Sequence, residues 1–455
     1  MNLKIFNFNE QNKFLVIILS IFPIALVTGP LIPEIIMFFS IVLFLINIKK
    51  FSPTKSEKIT ITILFIWWIY LFALSFFSSD IKISLKSTLF YFRYILFGCS
   101  IYYFYLTNPK LIRFLIKSFV FCFLILILDS LLQFFYGTNI LGYSKYGIVG
   151  NYEIIRLSSL FGDELILGSY MSKFLPFFFV FLFFSNGKKV KFFLSIIITM
   201  SLIVIFLSGE RQAFYSAMIL ILLLILLFRK NYLPNIILIF LFFLVICFFL
   251  IQNHPQISDR MMSPIDNFKS LYSKIHSKLQ KNNQQELIIS SKNHVKSEEK
   301  NNLVVFTKYH TSHYKIALAI IKNNLFFGSG PNTFRYICDQ PKYQIYLNKN
   351  ENGCSTHPHN HYIQIFAETG LVGFVFLFGF FILILGKFLC LFYNKFISKN
   401  WPTSNQDQKV IAIISILIML NPLTPNGNIF NNYLNMLYYY IFALNFLIMN
   451  KKFFK

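Results

Sequence analysis

Long apolar runs constrain this chain more than any other feature of its sequence. About twelve of them are long enough to cross roughly 30 Å of hydrocarbon as helices. They lie near residues 13–29, 31–48, 59–77, 87–106, 111–136, 164–184, 190–208, 212–228, 233–251, 361–386, 409–425 and 429–449. Because 56% of the residues are hydrophobic and only 13% are charged, an ordinary soluble domain is excluded. The sequence predicts an all-α fold, a polytopic integral membrane bundle of about 12 transmembrane helices with one long outward loop containing short helices.

The spacing of the runs divides the chain into three parts. Residues 1–251 hold the first nine predicted transmembrane helices, residues 252–360 form a long polar loop, and residues 361–455 hold the last three helices. Gly29 and Pro30 separate the first two runs, which could instead form one re-entrant unit. No convincing small-x-small cleavage site follows the first run, so we expect a retained anchor rather than a removed signal peptide.

The net charge of +24 would suit a nucleic-acid-binding protein, but its distribution argues against that function. Lys and Arg concentrate in both termini and in every second short loop. Lys49 and Lys50 mark one such loop, and Lys188 and Lys189 mark another. Short cytoplasmic loops collect positive charge, whereas long translocated loops largely escape this rule. We therefore expect both termini in the cytoplasm and the 252–360 loop outside, with no nucleic acid as a partner.

Histidines mark the candidate site. All eight lie between His254 and His361, and several occur in HPHNH, just before the tenth apolar run. Imidazole titrates near neutrality, so His359 could act as a general base on an acceptor hydroxyl at the membrane surface, with Asn360 orienting it. Two other interpretations stay open. Asn360 could simply cap the tenth helix, or His357, His359 and His361 could bind a metal, although the usual carboxylate or thiolate partners are not evident.

Three arginines are expected near the same outer surface. Arg211 lies in LSGERQAF between the seventh and eighth runs, Arg156 in the loop before the sixth, and Arg260 soon after the ninth. A guanidinium at the level of the lipid headgroups can bind phosphate oxygens through two parallel N–H groups. Each arginine could instead be an ordinary interface residue, and Arg211 could pair with Glu210. Together with His359, the three arginines would suit an anionic lipid diphosphate.

The long loop carries three further features. Cys338 and Cys354 both lie in it and would form a disulfide in an oxidising periplasm, although two free thiols are the alternative. The stretch 276–302 has nothing apolar enough to bury, so it is expected to be mobile. From His313 onward, apolar residues at helical spacing predict a short amphipathic helix on the bundle, stopped by the glycines of GSGP. The apolar positions of this helix are Ile316, Ala319, Ile320 and Leu325.

Four segments between residues 131 and 373 carry a family resemblance. They are LLQFFYG (131–137), RLSSLFGDELILGSYMSKFLP (156–176), LSGERQAF (207–214), and YKIALAIIKNNLFFGSGPNTF followed by HPHNHYIQIFAETGLVG. These segments resemble the O-antigen ligase and O-antigen polymerase superfamily of bacterial envelope glycosyltransferases. The last one is similar to that family's diagnostic outer-loop and tenth-span signature, and the similarity covers roughly residues 125–375.

The resemblance implies a metal-independent glycosyltransferase that uses no cofactor and lies in the bacterial inner membrane. A glycan linked to undecaprenyl diphosphate in the outer leaflet would be transferred to an acceptor hydroxyl. The leading hypothesis is an O-antigen ligase of lipopolysaccharide biosynthesis, with lipid A-core as acceptor. A polymerase that extends a growing glycan, or an oligosaccharyltransferase that modifies protein, would use the same chemistry. A lipid-linked sugar flippase is the alternative from another class, and it predicts a polar cavity at the membrane midplane.

The same resemblance assigns roles to residues. His359 and Arg211 are the expected catalytic residues, with no metal ligand. The expected ligands of the donor diphosphate are Arg156, Arg211, Arg260 and His310. The expected supporting residues are Asn360, His357 and Glu368. Many relatives have an arginine at the place of His310. Either Arg260 supplies the missing charge here, or this member binds its donor diphosphate more weakly.

Overall fold

The computed structural model describes most of the predicted bundle and the two ends of the long loop. The described residues are 8–149, 152–185, 187–228, 232–254, 256–257, 260, 308–347, 353–397 and 404–449. The polar stretch at 276–302, which we expect to be mobile, lies outside them.

Helices account for most of the described residues. The first ten are α1 (Phe8–Ala25), α2 (Leu31–Ile46), α3 (Lys55–Ser75), α4 (Ile81–Thr88), α5 (Phe92–Thr107), α6 (Ile112–Tyr136), α7 (Leu167–Phe184), α8 (Lys188–Leu207), α9 (Arg211–Leu227) and α10 (Leu233–Asn253). The later ones are α11 (Lys308–Asn323), α12 (Phe334–Ile337), α13 (Pro341–Gln344), α14 (His361–Phe396), α15 (Ser404–Met419) and α16 (Asn432–Met449). Single 3₁₀ turns occupy Leu26–Thr28, Ile48–Lys50, Pro109–Leu111 and Ser159–Phe161.

Every predicted apolar run coincides with helix, but not every helix meets the length and composition expected of a membrane span. Within the described residues, seven helical segments are long and apolar enough to cross a membrane. These are Lys55–Ser75, Ile81–Thr107, Pro109–Tyr136, Leu167–Phe184, Lys188–Leu207, Leu233–Asn253 and His361–Phe396. Three apolar helices are shorter, namely Lys13–Thr28, Leu31–Ile46 and Arg211–Leu227. The seven candidates support a helical membrane protein, while the number of about 12 spans stays a prediction.

One short hairpin departs from the predicted all-α fold. Strands β1 (Tyr146–Val149) and β2 (Tyr152–Ile155) pair antiparallel between α6 and α7. Just after β2, the backbone N–H of Arg156 donates to the carbonyl oxygen of Lys145 at 2.8 Å. The hairpin was not predicted because its strands are four residues each. The hairpin matters for the site because it fixes the position of the Arg156 backbone, directly after β2.

Helix α7 lies at the centre of the bundle. Nearly all of its side chains are buried, in keeping with a sequence that is apolar on all sides rather than on one stripe. Aromatic rings fill the space between it and α6: the ring centroid of Phe119 lies 5.0 Å from that of Phe174, and Phe123 lies 4.3 Å from Phe178. Such pairs each contribute about 0.5–1.5 kcal/mol beyond the area they bury. The N-terminus of this rigid helix carries part of the candidate site.

The end of the long loop packs as a small second core. The amphipathic helix is confirmed as α11, with Ile316, Ala319 and Ile320 buried in a cluster that also contains Ala367 of α14. Leu325 was wrongly assigned to the buried face: α11 ends at Asn323, and the Leu325 side chain is 45% exposed. A disulfide joins Cys338 to Cys354 across 16 residues, as one of the two predicted alternatives requires.

Glycines allow the loop before α12 to dock against α14. Gly370 has φ +68°, which interrupts α14 and lets the backbone N–H of Leu371 donate to the carbonyl oxygen of Leu325 at 2.8 Å. A Cβ atom on Gly370 would lie 2.1 Å from the Phe326 carbonyl oxygen. Gly330 is equally tight, since a Cβ there would lie 1.8 Å from Ser78 Oγ. The GSGPNTF motif is therefore a docking turn that seats the loop on the bundle.

Candidate functional site

His359 lies at the centre of a group of imidazoles at the start of α14. Its ring centroid is 4.2 Å from that of His357, 5.3 Å from that of His310 and 5.4 Å from that of His313. Its backbone has φ +58°, a left-handed conformation that few residues other than glycine adopt. Such conformations persist where the surroundings fix them, and they concentrate at functional sites. The predicted base is thus in a strained loop and half-buried among other histidines.

A turn between α15 and α16 holds the two histidines in place. The backbone N–H of Asn426 donates to the His359 carbonyl oxygen at 2.9 Å, and the Asn426 carbonyl oxygen lies 3.0 Å from Nε2 of His357. Because a carbonyl can only accept, this contact assigns the proton of a neutral His357 ring to Nε2. Nδ1 of that ring then accepts from the Thr356 hydroxyl at 2.8 Å. Sequence reasoning missed Asn426, because TPNGN has the composition of any turn.

Asn360 is the N-cap of α14, as one of the interpretations predicts. Its Oδ1 accepts from the backbone N–H groups of Tyr362 at 2.9 Å and Ile363 at 3.1 Å. Its Nδ2 donates to the Pro422 carbonyl oxygen at 2.7 Å, in the turn that also holds His359. The capping role and a role beside the base are compatible, because the cap fixes the backbone immediately after His359.

The three histidines of HPHNH do not converge as metal ligands. The His361 ring faces Tyr438, with centroids 5.7 Å apart, and is buried. Among the described residues, the group of His, Cys, Asp or Glu ligand atoms that lie within 4.8 Å of one another is Cys338, Asp339 and Cys354, where the cysteines are bridged. The geometry therefore does not favour the metal interpretation of HPHNH.

Glu368 supports the docked loop and does not reach the histidines through any of its hydrogen bonds. Its carboxylate accepts from the backbone N–H groups of Phe334 at 2.9 Å and Asn332 at 3.1 Å. The side chain of Gln364 donates to the same carboxylate at 3.1 Å. The predicted supporting role is thus structural: this buried carboxylate connects α14 to the segment that begins α12.

The predicted arginines come together where α7 begins and where α8 meets α9. Nη2 of Arg156 donates to the Leu165 carbonyl oxygen at 3.2 Å, and its buried Nε has no hydrogen-bond partner among the described residues. Nε of Arg260 donates to the Gly209 carbonyl oxygen at 2.7 Å. Gly209 has φ +67°, and a Cβ atom there would lie 2.9 Å from this Nε. The glycine before Glu210 thus makes room for Arg260.

The pKa shifts of these guanidinium groups indicate that they lie close to one another. Burial first, then repulsion from Arg156 and Arg211, lowers the pKa of Arg260 to about 10. The pKa of Arg156 is lowered by burial and by Arg211, while attraction to Glu210 opposes both. Three half-buried cations that repel one another are stabilised by a bound anion. Arg260 therefore belongs to this arginine cluster. It adds a positive charge to a site in which His310 stands where many relatives have an arginine.

Glu210 anchors the cluster, a role that sequence reasoning did not assign. Its carboxylate accepts from the backbone N–H of Gly168 at 2.7 Å, the backbone N–H of Ser169 at 3.2 Å and the Ser169 hydroxyl at 2.6 Å. These are donors of the first turn of α7, where a negative charge is favoured. Burial raises the pKa of Glu210, and these hydrogen bonds and the nearby cations oppose that shift. Glu210 therefore joins α7 to the start of α9.

Burial keeps the rings of His359 and His357 neutral at physiological pH. The pKa of His359 is lowered to about 3, first by burial and then by the neighbouring histidines. Burial also lowers the pKa of His357 to about 4. Burial, His313 and Arg211 lower the pKa of His310, which places the arginine cluster next to the imidazoles. A neutral ring has a free electron pair, so His359 can accept a proton.

A hydrogen-bond path connects the two clusters. Nε2 of Gln212, the residue after Arg211, donates to Oδ1 of Asn426 at 3.1 Å. Asn426 in turn holds His357 and His359 through its backbone. The structure thus brings together His359, His357, Asn360, His310 and the three arginines, and leaves Glu368 apart. At one end of the helices, preorganised cations lie beside a neutral imidazole.

Comparison with known families finds one match for this chain. Residues 173–378 match the family model described as O-antigen ligase. The match covers a little under half of the chain and supports membership of the O-antigen ligase superfamily. The predicted resemblance is confirmed, and membership implies a glycosyltransferase-like enzyme of the ligase or polymerase type that acts on lipid-linked glycans in a bacterial membrane. No curated protein matches the chain.

The segment that matches the O-antigen ligase family contains only part of the candidate site. Arg211, Arg260, His310 and His359 all fall within residues 173–378. Arg156 precedes that segment, and the turn with Asn426 follows it. Two parts of the site therefore come from outside the region that defines the family match.

Proposed function

We propose that this protein transfers a glycan from undecaprenyl diphosphate to an acceptor hydroxyl at the outer leaflet of the inner membrane, with lipid A-core as acceptor. The observation that carries the proposal is the proximity of a half-buried arginine cluster to a neutral, half-buried imidazole. The cluster suits the diphosphate, and the imidazole suits the acceptor proton. Both termini would be cytoplasmic, which the alternation of Lys and Arg between loops supports.

In the proposed reaction, the acceptor oxygen attacks the anomeric carbon of the donor sugar while its proton passes to a ring nitrogen of His359. The bond between the anomeric carbon and the diphosphate oxygen breaks, and its electron pair leaves with undecaprenyl diphosphate. Arg156, Arg211 and Arg260 stabilise the negative charge that develops on that oxygen. Single displacement inverts the anomeric centre. The base contributes about 10²- to 10⁴-fold in rate.

Donor binding would also activate the base. With a pKa of about 3, His359 in the free protein accepts a proton only weakly. An anionic diphosphate on the neighbouring arginines would add negative charge beside the imidazoles, which favours a protonated ring and so opposes the effect of burial on the pKa of His359. The base then gains strength only when the donor is in place. This coupling would keep His359 a weak base in the protein without donor.

The acceptor decides between ligase, polymerase and protein O-oligosaccharyltransferase, because all three share the donor chemistry. The test is purified protein in liposomes with one undecaprenyl-diphosphate-linked glycan and three acceptors offered separately: lipid A-core, a second lipid-linked glycan, and a Ser- and Thr-containing protein. Product on lipid A-core alone supports ligation. Product on either other acceptor alone replaces the ligase proposal. Movement of the donor across the bilayer without any product would favour the flippase.

A further inference from the structure

An apolar groove lies between α3, α5 and α16, at the opposite end of the bundle from the candidate site. Its walls include Leu64, Gly98, Cys99, Phe442 and Phe446, and it encloses about 510 Å³, part of it open to the surroundings. Because residue 98 is glycine, α5 has no side chain that would fill the groove at this position. The groove takes no part in the proposed transfer.

The position of the groove follows from α3. Glu57 lies in the first turn of this helix and lines the groove, whereas the chain just beyond Ser75 contacts the docking turn near the site: Ser79 donates its backbone N–H to the Ser329 carbonyl oxygen at 2.9 Å. At a rise of 1.5 Å per residue, Glu57 and Ser75 are about 27 Å apart along the helix. The groove and the arginine cluster thus face different sides of the membrane.

The mouth of the groove is basic. Lys49, Lys50, Lys55 and Lys58 are all exposed close to it in sequence: the first two precede the lining residue Phe51, and the other two flank the lining residue Glu57. The acidic residue at the mouth is already engaged, since Glu57 accepts from the Tyr102 hydroxyl at 2.6 Å and from the backbone N–H of Thr54 at 2.8 Å. Four lysines against this one carboxylate leave the segment 49–58 with a net positive charge.

We propose that this groove binds an anionic phospholipid, with its phosphate on the lysines and one acyl chain between the three helices. Only an amphiphile matches both parts, because the walls exclude a polar ligand and the lysines favour a negative headgroup. Basic pockets between membrane helices bind such headgroups in general. A bound chain would fill the space that separates α3 from α5 and α16 and so stabilise the bundle.

The test is native mass spectrometry of the full-length protein in detergent, titrated with phosphatidylglycerol or with phosphatidylcholine. Phosphatidylglycerol should bind with one preferred stoichiometry and phosphatidylcholine should bind weakly. Gly98→Phe should abolish the preferred site by filling the groove; a Cβ at this position makes only ordinary contacts, the nearest at 3.6 Å from Tyr439. Each lysine contributes about fivefold in affinity, so the double variant Lys55→Gln/Lys58→Gln should bind at least tenfold more weakly.

Lys188→Gln/Lys189→Gln is the matched control, because it removes the same charge from the exposed first turn of α8, which does not line the groove. This control should bind phosphatidylglycerol as the unaltered protein does. Equal binding of the two lipids, or an equal loss in both lysine double variants, would overturn the proposal. Should Gly98→Phe fail to fold, the two lysine pairs still decide the question.

Discussion

Replacing Asn360 with alanine separates the structural role of HPHNH from its chemical role. The change removes the cap of α14, in which Oδ1 accepts from two backbone N–H groups, and the bond from Nδ2 to the Pro422 carbonyl oxygen. A lost cap costs about 1 kcal/mol, and one further hydrogen bond costs about 1 kcal/mol. Asn360→Ala should therefore lower the free energy of unfolding by roughly 2 kcal/mol.

Asn360→Asp gives a graded comparison. A carboxylate keeps both accepted bonds at the helix start and loses only the donor to Pro422, so about half of the loss should remain. Asn445→Ala is the matched control: Asn445 donates to Ser415 Oγ at 3.2 Å, is buried, and lies about 20 Å along α16 from its start. This control should lose about 1 kcal/mol and keep normal transfer per folded molecule.

The assay pairs thermal unfolding in detergent with glycan transfer in liposomes, normalised to folded protein. In Asn360→Ala, transfer per folded molecule should also fall, because the cap fixes the backbone next to His359. Displacement of a base by about 1 Å costs up to roughly 10²-fold. The reasoning fails if Asn360→Ala unfolds like the unaltered protein, or if it loses stability while transfer per folded molecule is unchanged.

Three further predictions concern the donor site, the loop and pH. Arg211→Ala should reduce transfer by roughly 10- to 150-fold, from the loss of about 1.5–3 kcal/mol in charge-assisted contact, and Arg211→Lys should lose less; unaltered turnover in Arg211→Ala would exclude a donor role. The Cys338–Cys354 bridge, with a stabilisation of about 3 kcal/mol, should leave neither thiol open to alkylation without reductant, and a mass increase for two alkylated thiols would disprove it. Because His359 must be neutral to act and its pKa in the free protein is about 3, kcat/KM should stay level as the pH falls to about 5. The bound donor raises that pKa, so the fall of kcat on the acid side should begin at a higher pH than the fall of kcat/KM. A fall of kcat/KM on the acid side near the ordinary imidazole pKa would contradict the environment described for His359.

Local patterns predicted the elements of this fold well. Twelve apolar runs coincide with helices, because burial in lipid or in the bundle requires continuous apolar sequence. The meeting of Arg156, Arg211 and His359 also followed from topology, since successive spans return their ends to the same face. One wrong prediction was also local: Leu325 continues the apolar spacing of α11, but the helix stops at Asn323.

Long-range contacts of ordinary residues could not be predicted. Asn426 reaches His357 and His359 across more than 60 positions in the sequence, from a turn with no chemical signature. Glu210 appeared only as a partner for its neighbour Arg211, yet it binds the first turn of α7. The resemblance assigned Glu368 a supporting role at the site. It lies about two turns into α14, and its carboxylate binds the α12 segment instead.

The measurement that bears most directly on the central claim is glycan transfer by His359→Asn. Asparagine tolerates the left-handed backbone at this position, so the variant should fold, bind donor and unfold at the same temperature as the unaltered protein. It lacks a base, so transfer should fall by about 10²- to 10⁴-fold.

His357→Gln and His361→Gln are its controls, measured in the same liposomes with and without EDTA. Both should lose much less transfer than His359→Asn, and EDTA should have no effect. Substantial transfer by folded His359→Asn would remove the catalytic role of His359. Equal losses in all three variants together with inhibition by EDTA would replace the base with a metal site.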